Sequence, residues 1–229
     1  MSLSIIIPTK NEEENIGNIL KKVKKKLKNK VLYEVIVADS SSDKTPIVAK
    51  KILKKLKLNG RVLRVKKQGK GYAIKYSSNF AKGNYILMID ADLQYSFEDI
   101  ASSLKYLKDG VDVILTRRIR TDEVKRRILS FLFRFLVFLF FGMIEETQST
   151  ARIIKRKIWK EIVYKIREDG WLWDVELIYY LKKYSAKFKT VKIRYEKRRF
   201  GKSKIGSRTL VNGVVSIFKI RVRTFLNSI

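Results

Sequence analysis

Two carboxylates one residue apart, Asp90 and Asp92, follow the apolar run Tyr85-Ile86-Leu87-Met88-Ile89. A run of that length bounded by polar residues reads as a buried strand. Alternation along an extended segment then sets both acids on one side, where they can approach one cation. A divalent cation held there would neutralise a diphosphate and stabilise it as a leaving group. A D-x-D pair by itself is frequent in loops; its place at a strand end gives it weight.

The rest of the composition narrows the chemistry. The 229 residues include no cysteine and no histidine. A disulfide framework, a thiolate metal site, and a cysteine or histidine nucleophile or base are therefore excluded. Carboxylates, amides, hydroxyls, lysine and arginine must do the work, with any metal bound through oxygen. The formal charge is +30, from 52 basic and 22 acidic side chains. Such a field attracts nucleic acid, anionic membrane or phosphorylated substrates, and charge alone does not choose among them. Hydrophobic residues make up 45% of the chain, enough for one sizeable core. The segment Met1-Ser2-Leu3-Ser4-Ile5 lacks the charged region and cleavage site of a signal peptide, so a cytoplasmic location is expected.

Elements that position the acids emerge from the periodicity. Strands are expected at 3–7, 33–38, 61–65, 85–89 and 111–116, and helices near 13–27, 46–56, 71–81 and 96–107. Strand–helix alternation argues for an α/β fold with a mostly parallel sheet covered by helices. Ligands gather at the carboxyl ends of such strands. Three of those ends carry polar clusters: Thr9-Lys10-Asn11-Glu12, residues 39–43, and residues 90–94.

The second half has a different texture. Residues 128–143 are almost entirely apolar, interrupted by Ser130, Arg134 and Gly142. As a helix this run spans about 24 Å, short of a hydrocarbon core roughly 30 Å thick. Glu123, Arg127, Ser130 and Arg134 share one narrow polar stripe. The pattern suits a helix lying in a membrane interface, with a helix buried in the protein core as the alternative. A second amphipathic run, 208–226, places Leu210, Val211, Val214, Val215, Phe218, Val222 and Phe225 on one side, to dock on the core or on lipid. With no repeat or linker, a single domain over 1–229 is expected.

Several segments, in order, resemble one family. Asp90-Ala91-Asp92-Leu93-Gln94 resembles the D-A-D-L-Q of dolichyl-phosphate sugar transferases, within the inverting family-2 glycosyltransferases. The run from Ile5 to Glu13, Ile-Ile-Ile-Pro-Thr-Lys-Asn-Glu-Glu, resembles their opening strand and donor loop. The run from Val37 to Thr45 is similar to V-D-D-G-S-x-D-x-T, with Ala38 and Ser40 as departures. Gly69-Lys70-Gly71 resembles the K-G loop near the donor, and Thr116-Arg117 stands where G-S-R is usual. Glu146-Thr147-Gln148-Ser149-Thr150-Ala151-Arg152 resembles D-T-Q-C-G-F-K, and Trp173-Asp174-Val175-Glu176-Leu177 resembles F-D-V-E-L, both of dolichyl-phosphate glucosyltransferases. Arg198, Lys202 and Lys204 match a basic loop that closes over the donor diphosphate.

The resemblance implies a GT-A fold whose residues 1–120 bind a nucleotide sugar and whose residues 121–229 bind the acceptor. It implies Mg²⁺ or Mn²⁺ at Asp90 and Asp92, with Gln94 assisting. Pro8, Lys10, Glu12, Val37, Asp39 and Ala91 would shape the donor pocket, and Arg198 and Lys204 would hold its diphosphate. The implied reaction moves a hexose from GDP-mannose or UDP-glucose to dolichyl or polyprenyl phosphate. A lipid phosphate is already ionised and needs no base, only cations to hold it, for which Arg117 and Arg127 are placed. The expected location is the cytoplasmic face of a membrane, peripheral or interfacial, against its anionic surface. Nucleic acid is not an expected partner, and a separate membrane protein is left open. A glycan or other hydroxyl acceptor would instead require a base, with Asp174 and Glu146 as candidates. A non-catalytic basic binding protein accounts for the charge but not for the polar clusters at three strand ends.

Overall fold

Strand β1 (Ser2–Thr9) carries Ile5, Ile6 and Ile7 in succession, and all three are fully buried. An apolar run without alternation belongs to a strand covered on both faces. The computed structural model describes residues 1–92, 95–119, 124–145, 147, 151–170, 172–194 and 207–226, and not the side chains of 118, 124–129, 207–212, 214 and 225–226. After β1 come α1 (Glu13–Leu27), β2 (Leu32–Asp39), α2 (Thr45–Lys55), β3 (Gly60–Arg64), α3 (Lys70–Ser78), β4 (Tyr85–Ile89) and α4 (Phe97–Ser103). The chain continues through β5 (Val113–Ile119), α5 (Val124–Phe141), β6 (Ala151–Lys155), α6 (Arg156–Ile162), α7 (Trp173–Lys183), β7 (Phe188–Arg194) and α8 (Ser207–Leu226).

The strands form one sheet in the order β3-β2-β1-β4-β6-β5-β7. All pairings are parallel except those of β6, which runs antiparallel to both β4 and β5. Alternate residues feed two cores. Leu3, Ile5, Ile7, Val35, Val37, Leu87 and Ile89 meet the apolar faces of α1, α2 and α4. Ile6, Ile36, Ala38, Ile86 and Met88 meet Ala73, Val137, Trp159, Trp173 and Ile217 from the helices opposite. This is the GT-A type of α/β architecture, with the sheet sandwiched between helices.

The chain winds from β1 out to β2 and β3, then returns to lay β4 on the other side of β1. Such a reversal opens a crevice at the carboxyl ends of the strands. Registers align three polar residues there, Thr9 opposite Asp39 and Asp39 opposite Arg64. Asp39 is fully buried; it accepts from Thr9 Oγ1 at 2.9 Å and Ser41 Oγ at 2.6 Å, and pairs with the Arg64 guanidinium. One carboxylate thus ties the ends of three strands together.

The expected helix 13–27 and strand 85–89 agree with the structure to the residue. The segment 96–107 is divided: α4 ends at Ser103 and a 3-10 turn, Leu104–Leu107, follows. Strands β6 and β7 lie outside the sequence expectation. In α5, Phe133, Leu136, Val137, Phe140 and Phe141 pack inward, while Phe131, Leu132, Phe135, Phe138 and Leu139 stay exposed. In α8 the inward residues are Ile217, Ile220 and Thr224; Val215, Phe218 and Val222, from the apolar stripe read in the sequence, face outward. No helix among the described residues is long and apolar enough to cross a membrane.

Candidate functional site

A cavity of about 610 Å³ opens at the reversal point. The end of β1 contributes Pro8, Thr9, Lys10 and Glu12, and the end of β4 contributes Asp90, Ala91 and Asp92. Ser40 follows β2, and Gln68, Gly69, Lys70 and Ala73 come from the turn into α3. The volume falls within the range of small-molecule sites.

Each wall has a local cause. After Thr9 the chain turns with Asn11 at φ 53°, a conformation asparagine tolerates better than most residues. Asn11 does not cap α1 with its side chain; its Oδ1 accepts from Ser42 N at 3.0 Å, and its N–H donates to Ser41 Oγ at 2.8 Å. The β1 and β2 loops are thereby stitched together. Asp43 supports the same seam, accepting from the backbone N–H and hydroxyl of Thr45. Burial raises its pKa, but the Thr45 hydrogen bonds outweigh that and leave the carboxyl below its usual range. Beyond Ile89, Ala91 and Asp92 lie in a turn rather than an extended strand. Both carboxylates reach the cavity through that turn, not through the strand alternation expected from the sequence.

Lys70 Nζ stands 2.6 Å from Asp90 Oδ1, and Lys10 Nζ donates to Gln68 Oε1 at 2.7 Å. The buried Tyr95 hydroxyl donates to the Asp90 carbonyl, fixing the backbone behind the acids. Ser96 caps α4 by accepting from Asp99 N at 3.2 Å. Arg194 closes β7 at this same edge, donating from Nη2 to Asp99 Oδ1 at 2.9 Å.

Pro8, Lys10, Glu12, Asp90, Ala91 and Asp92 thus line one cavity. Val37 and Asp39 do not line it; Val37 sits in the core and Asp39 ties the strand ends. Arg117 is exposed on β5, opposite Lys192 of β7, two strands beyond β4 on the same edge. Arg127 lies on α5, with its side chain outside the described residues. Gln94, Arg198, Lys202, Lys204 and Glu146 lie outside the described residues altogether. Thr9 and Ser40 come from the polar clusters read at the ends of the first two strands, whereas Gln68 and Ala73 were not foreseen; the K-G resemblance at Gly69-Lys70-Gly71 was their nearest signal.

The donor set fits a hard cation: Asp90 and Asp92 offer two carboxylates at a cavity mouth where the Lys70 ammonium already neutralises one of them. No cluster of three acidic residues occurs among the described residues, so a cation would complete its shell with ligand oxygens and water.

Behind Asp90 lies a buried ion pair. Arg152 of β6 is buried, pairs with the Asp174 carboxylate, and lies 5.1 Å from the centre of the Trp173 ring. Asp174 is therefore committed as a counter-ion. Glu176, one turn along α7, is fully buried and accepts from Arg167 N at 2.9 Å and Glu168 N at 2.7 Å. Burial raises its pKa, outweighing the lowering by those bonds and by Arg223, 3.8 Å away. A folded-state pKa above the unfolded value means its contribution to stability is full at low pH and is lost as pH rises through the folded pKa. Glu176→Gln is accordingly expected to melt above wild type at pH 7, with the two converging below about pH 4. Calorimetric scans across pH check this, and a variant less stable at pH 7 contradicts it.

Comparison with known proteins adds the lineage. The model of the family described as "Glycosyl transferase family 2" matches residues 4–164. The chain belongs to glycosyl transferase family 2. It is 30% identical over 218 residues to dolichyl-phosphate beta-glucosyltransferase of Drosophila melanogaster, covering 85% of this chain and 67% of that one. The human protein of the same name is 31% identical over 200 residues, covering 77% and 62%. The low-salt glycan biosynthesis hexosyltransferase Agl6 of Haloferax volcanii is 30% identical over 171 residues, covering 69% of this chain. The chain spans only 40% of the length of that relative. Among solved structures, glucosyl-3-phosphoglycerate synthase of Mycobacterium tuberculosis, in complex with Mn²⁺, UDP and glucosyl-3-phosphoglycerate, superposes with a TM-score of 0.72. Identity there is 18%, with 96% of this chain and 79% of that one covered, which speaks to the fold.

Proposed function

We propose that this chain transfers a hexose, glucose in the first instance, from a nucleoside diphosphate sugar to dolichyl or polyprenyl phosphate. The observation that carries the reading is the cavity at the β1–β4 reversal, where Asp90 and Asp92 meet Lys10 and Lys70. On this reading residues 1–120 bind the donor and 121–229 the acceptor. Asp90 and Asp92 would hold Mg²⁺ or Mn²⁺, which when bound stabilises negative charge on a departing diphosphate. The Mn²⁺ and UDP in the mycobacterial structure support that assignment.

The chain's own residues supply the rest. Lys70 neutralises Asp90, and its flexible ammonium would be within reach of a donor phosphate oxygen in the same cavity. Lys10 adds a second cation on the facing wall. Arg117, exposed on the same edge, suits an acceptor phosphate through its forked donors. The ion pair of Asp174 with Arg152 favours an acceptor that needs no general base. The outward apolar residues of α5 and α8 offer a surface for the polyprenyl chain and the membrane that carries it. On this reading the enzyme works peripherally, at the cytoplasmic face of the membrane.

Thermal shift with UDP-glucose and GDP-mannose, each with and without Mn²⁺, tests the donor. UDP-glucose is expected to raise the melting temperature in a Mn²⁺-dependent way; a larger rise with GDP-mannose reassigns the sugar. Incubation with radiolabelled donor and membranes tests the acceptor. Label confined to the aqueous phase would exclude a lipid phosphate.

A further inference from the structure

The turn that presents Lys70 is held from outside its own element. Gly69 lies at φ 134°, and α3 begins without a side-chain cap. Free N–H groups at a helix start need acceptors. Here Gly71 N and Tyr72 N donate to the backbone carbonyl of Asp169 at 2.9 and 3.3 Å, so a residue about one hundred positions away caps the helix. The Asp169 carboxylate grips the same turn on both flanks, with Lys67 Nζ at 2.6 Å and Lys75 Nζ at 2.8 Å. Lys75 also donates to the carbonyls of Ile166 at 2.8 Å and Glu168 at 3.2 Å.

The fit between the two segments is close. A Cβ added to Gly69 would stand 2.3 Å from the Asp169 carbonyl oxygen, and one on Gly71 would stand 2.6 Å from Trp173 Cβ. The loop holding Asp169 is itself fixed, because Glu176 receives the N–H groups of Arg167 and Glu168, and Glu168 Oε1 receives Gly170 N at 3.0 Å. The chain of contacts runs from buried Glu176 to Asp169, to the Gly69-Lys70-Gly71 turn, and through Lys70 to Asp90.

We infer that Asp169 is a positioning residue of the donor cavity, clamping the Lys70 turn against the metal-binding corner. The inference rests on the donor reading above but concerns a residue that does not line the cavity. Without the carboxylate, Lys67 and Lys75 repel across the turn, and Lys70 loses its fixed station beside Asp90.

Asp169→Ala tests this by two independent measurements. In the ligand-free protein, amide hydrogen exchange over residues 69–72 is expected to rise about tenfold, with exchange over β1 and β4 unchanged. In nucleotide titrations with Mn²⁺, UDP affinity is expected to fall about tenfold in Asp169→Ala and in Lys70→Ala, with the double variant no weaker than Lys70→Ala alone. Asp169→Glu, which keeps the charge, should recover part of the affinity. Unchanged exchange over 69–72 overturns the clamp whatever the ligand proves to be. Additive losses in the double variant overturn positioning through Lys70 and leave a general structural role. If wild type binds neither UDP nor GDP, the donor reading fails, and the exchange result still decides whether the clamp exists.

Discussion

Asp92→Asn is expected to lower hexosyl transfer at least about 100-fold, with little change in melting temperature. The side chain is partly exposed at the cavity rim rather than packed in the core, so its replacement leaves the sheet intact. What changes is charge. An amide keeps an oxygen for a cation but removes the negative charge that holds a hard divalent ion beside a diphosphate. Asp90→Asn should act in the same direction and also release Lys70 from its 2.6 Å partner. Mn²⁺ titration in the presence of UDP separates the two effects: both variants should need more metal, and higher Mn²⁺ should restore part of the rate. Transfer by Asp92→Asn at the wild-type rate would sink the metal role.

The acids were legible because the strand before them is a plain apolar run and the polar residues after it interrupt the pattern abruptly. The same holds for the end of β1, where Lys10 and Glu12 were found. Strands β1, β2 and β4 are buried along most of their length, and their apolar side chains announce that locally. Strand β6 does not. Its five residues include Arg152, whose burial makes sense only beside Asp174, which is distant in sequence and adjacent in space. Strand β7 lies at the sheet edge with mostly solvated side chains, so its pattern is weak. Asp39 was read as a pocket residue; that it also ties three strand ends was not legible, because Thr9 and Arg64 join it only through sheet register. Asp169 was invisible for the same reason: its partners at Lys67, Gly71 and Lys75 are brought to it by the packing of α3 against α7. In α8 the stripe 215, 218, 222 was legible as apolar, but which of two apolar faces meets the core depends on where α5 and α7 lie.

That outward stripe, with the exposed face of α5, carries the second large effect. Phe131, Phe135 and Phe138 recur at helical spacing and are 61%, 51% and 52% exposed. Val215, Phe218 and Val222 extend the surface across α8, joined to α5 by the edge contact of Phe140 with Phe218 at 6.3 Å. Lys219 is exposed on α8, and Arg134 of α5 and Arg221 of α8 are half-buried. A soluble monomer rarely exposes so continuous an apolar face, and cations on the same helices suit anionic headgroups. Burying each phenylalanine contributes about 1.5–3 kcal/mol. Replacing all three by serine is therefore expected to weaken partition onto anionic vesicles by about 10³-fold or more. Because the three side chains face outward, UDP binding and melting temperature should stay near wild type. Turnover of a membrane-embedded polyprenyl phosphate should fall with the partition, whereas turnover of a short, water-soluble prenyl phosphate should not. Partition that survives the triple replacement would remove the membrane from the account of this face. Loss of both acceptor activities together would point instead to α5 as a wall of the acceptor site.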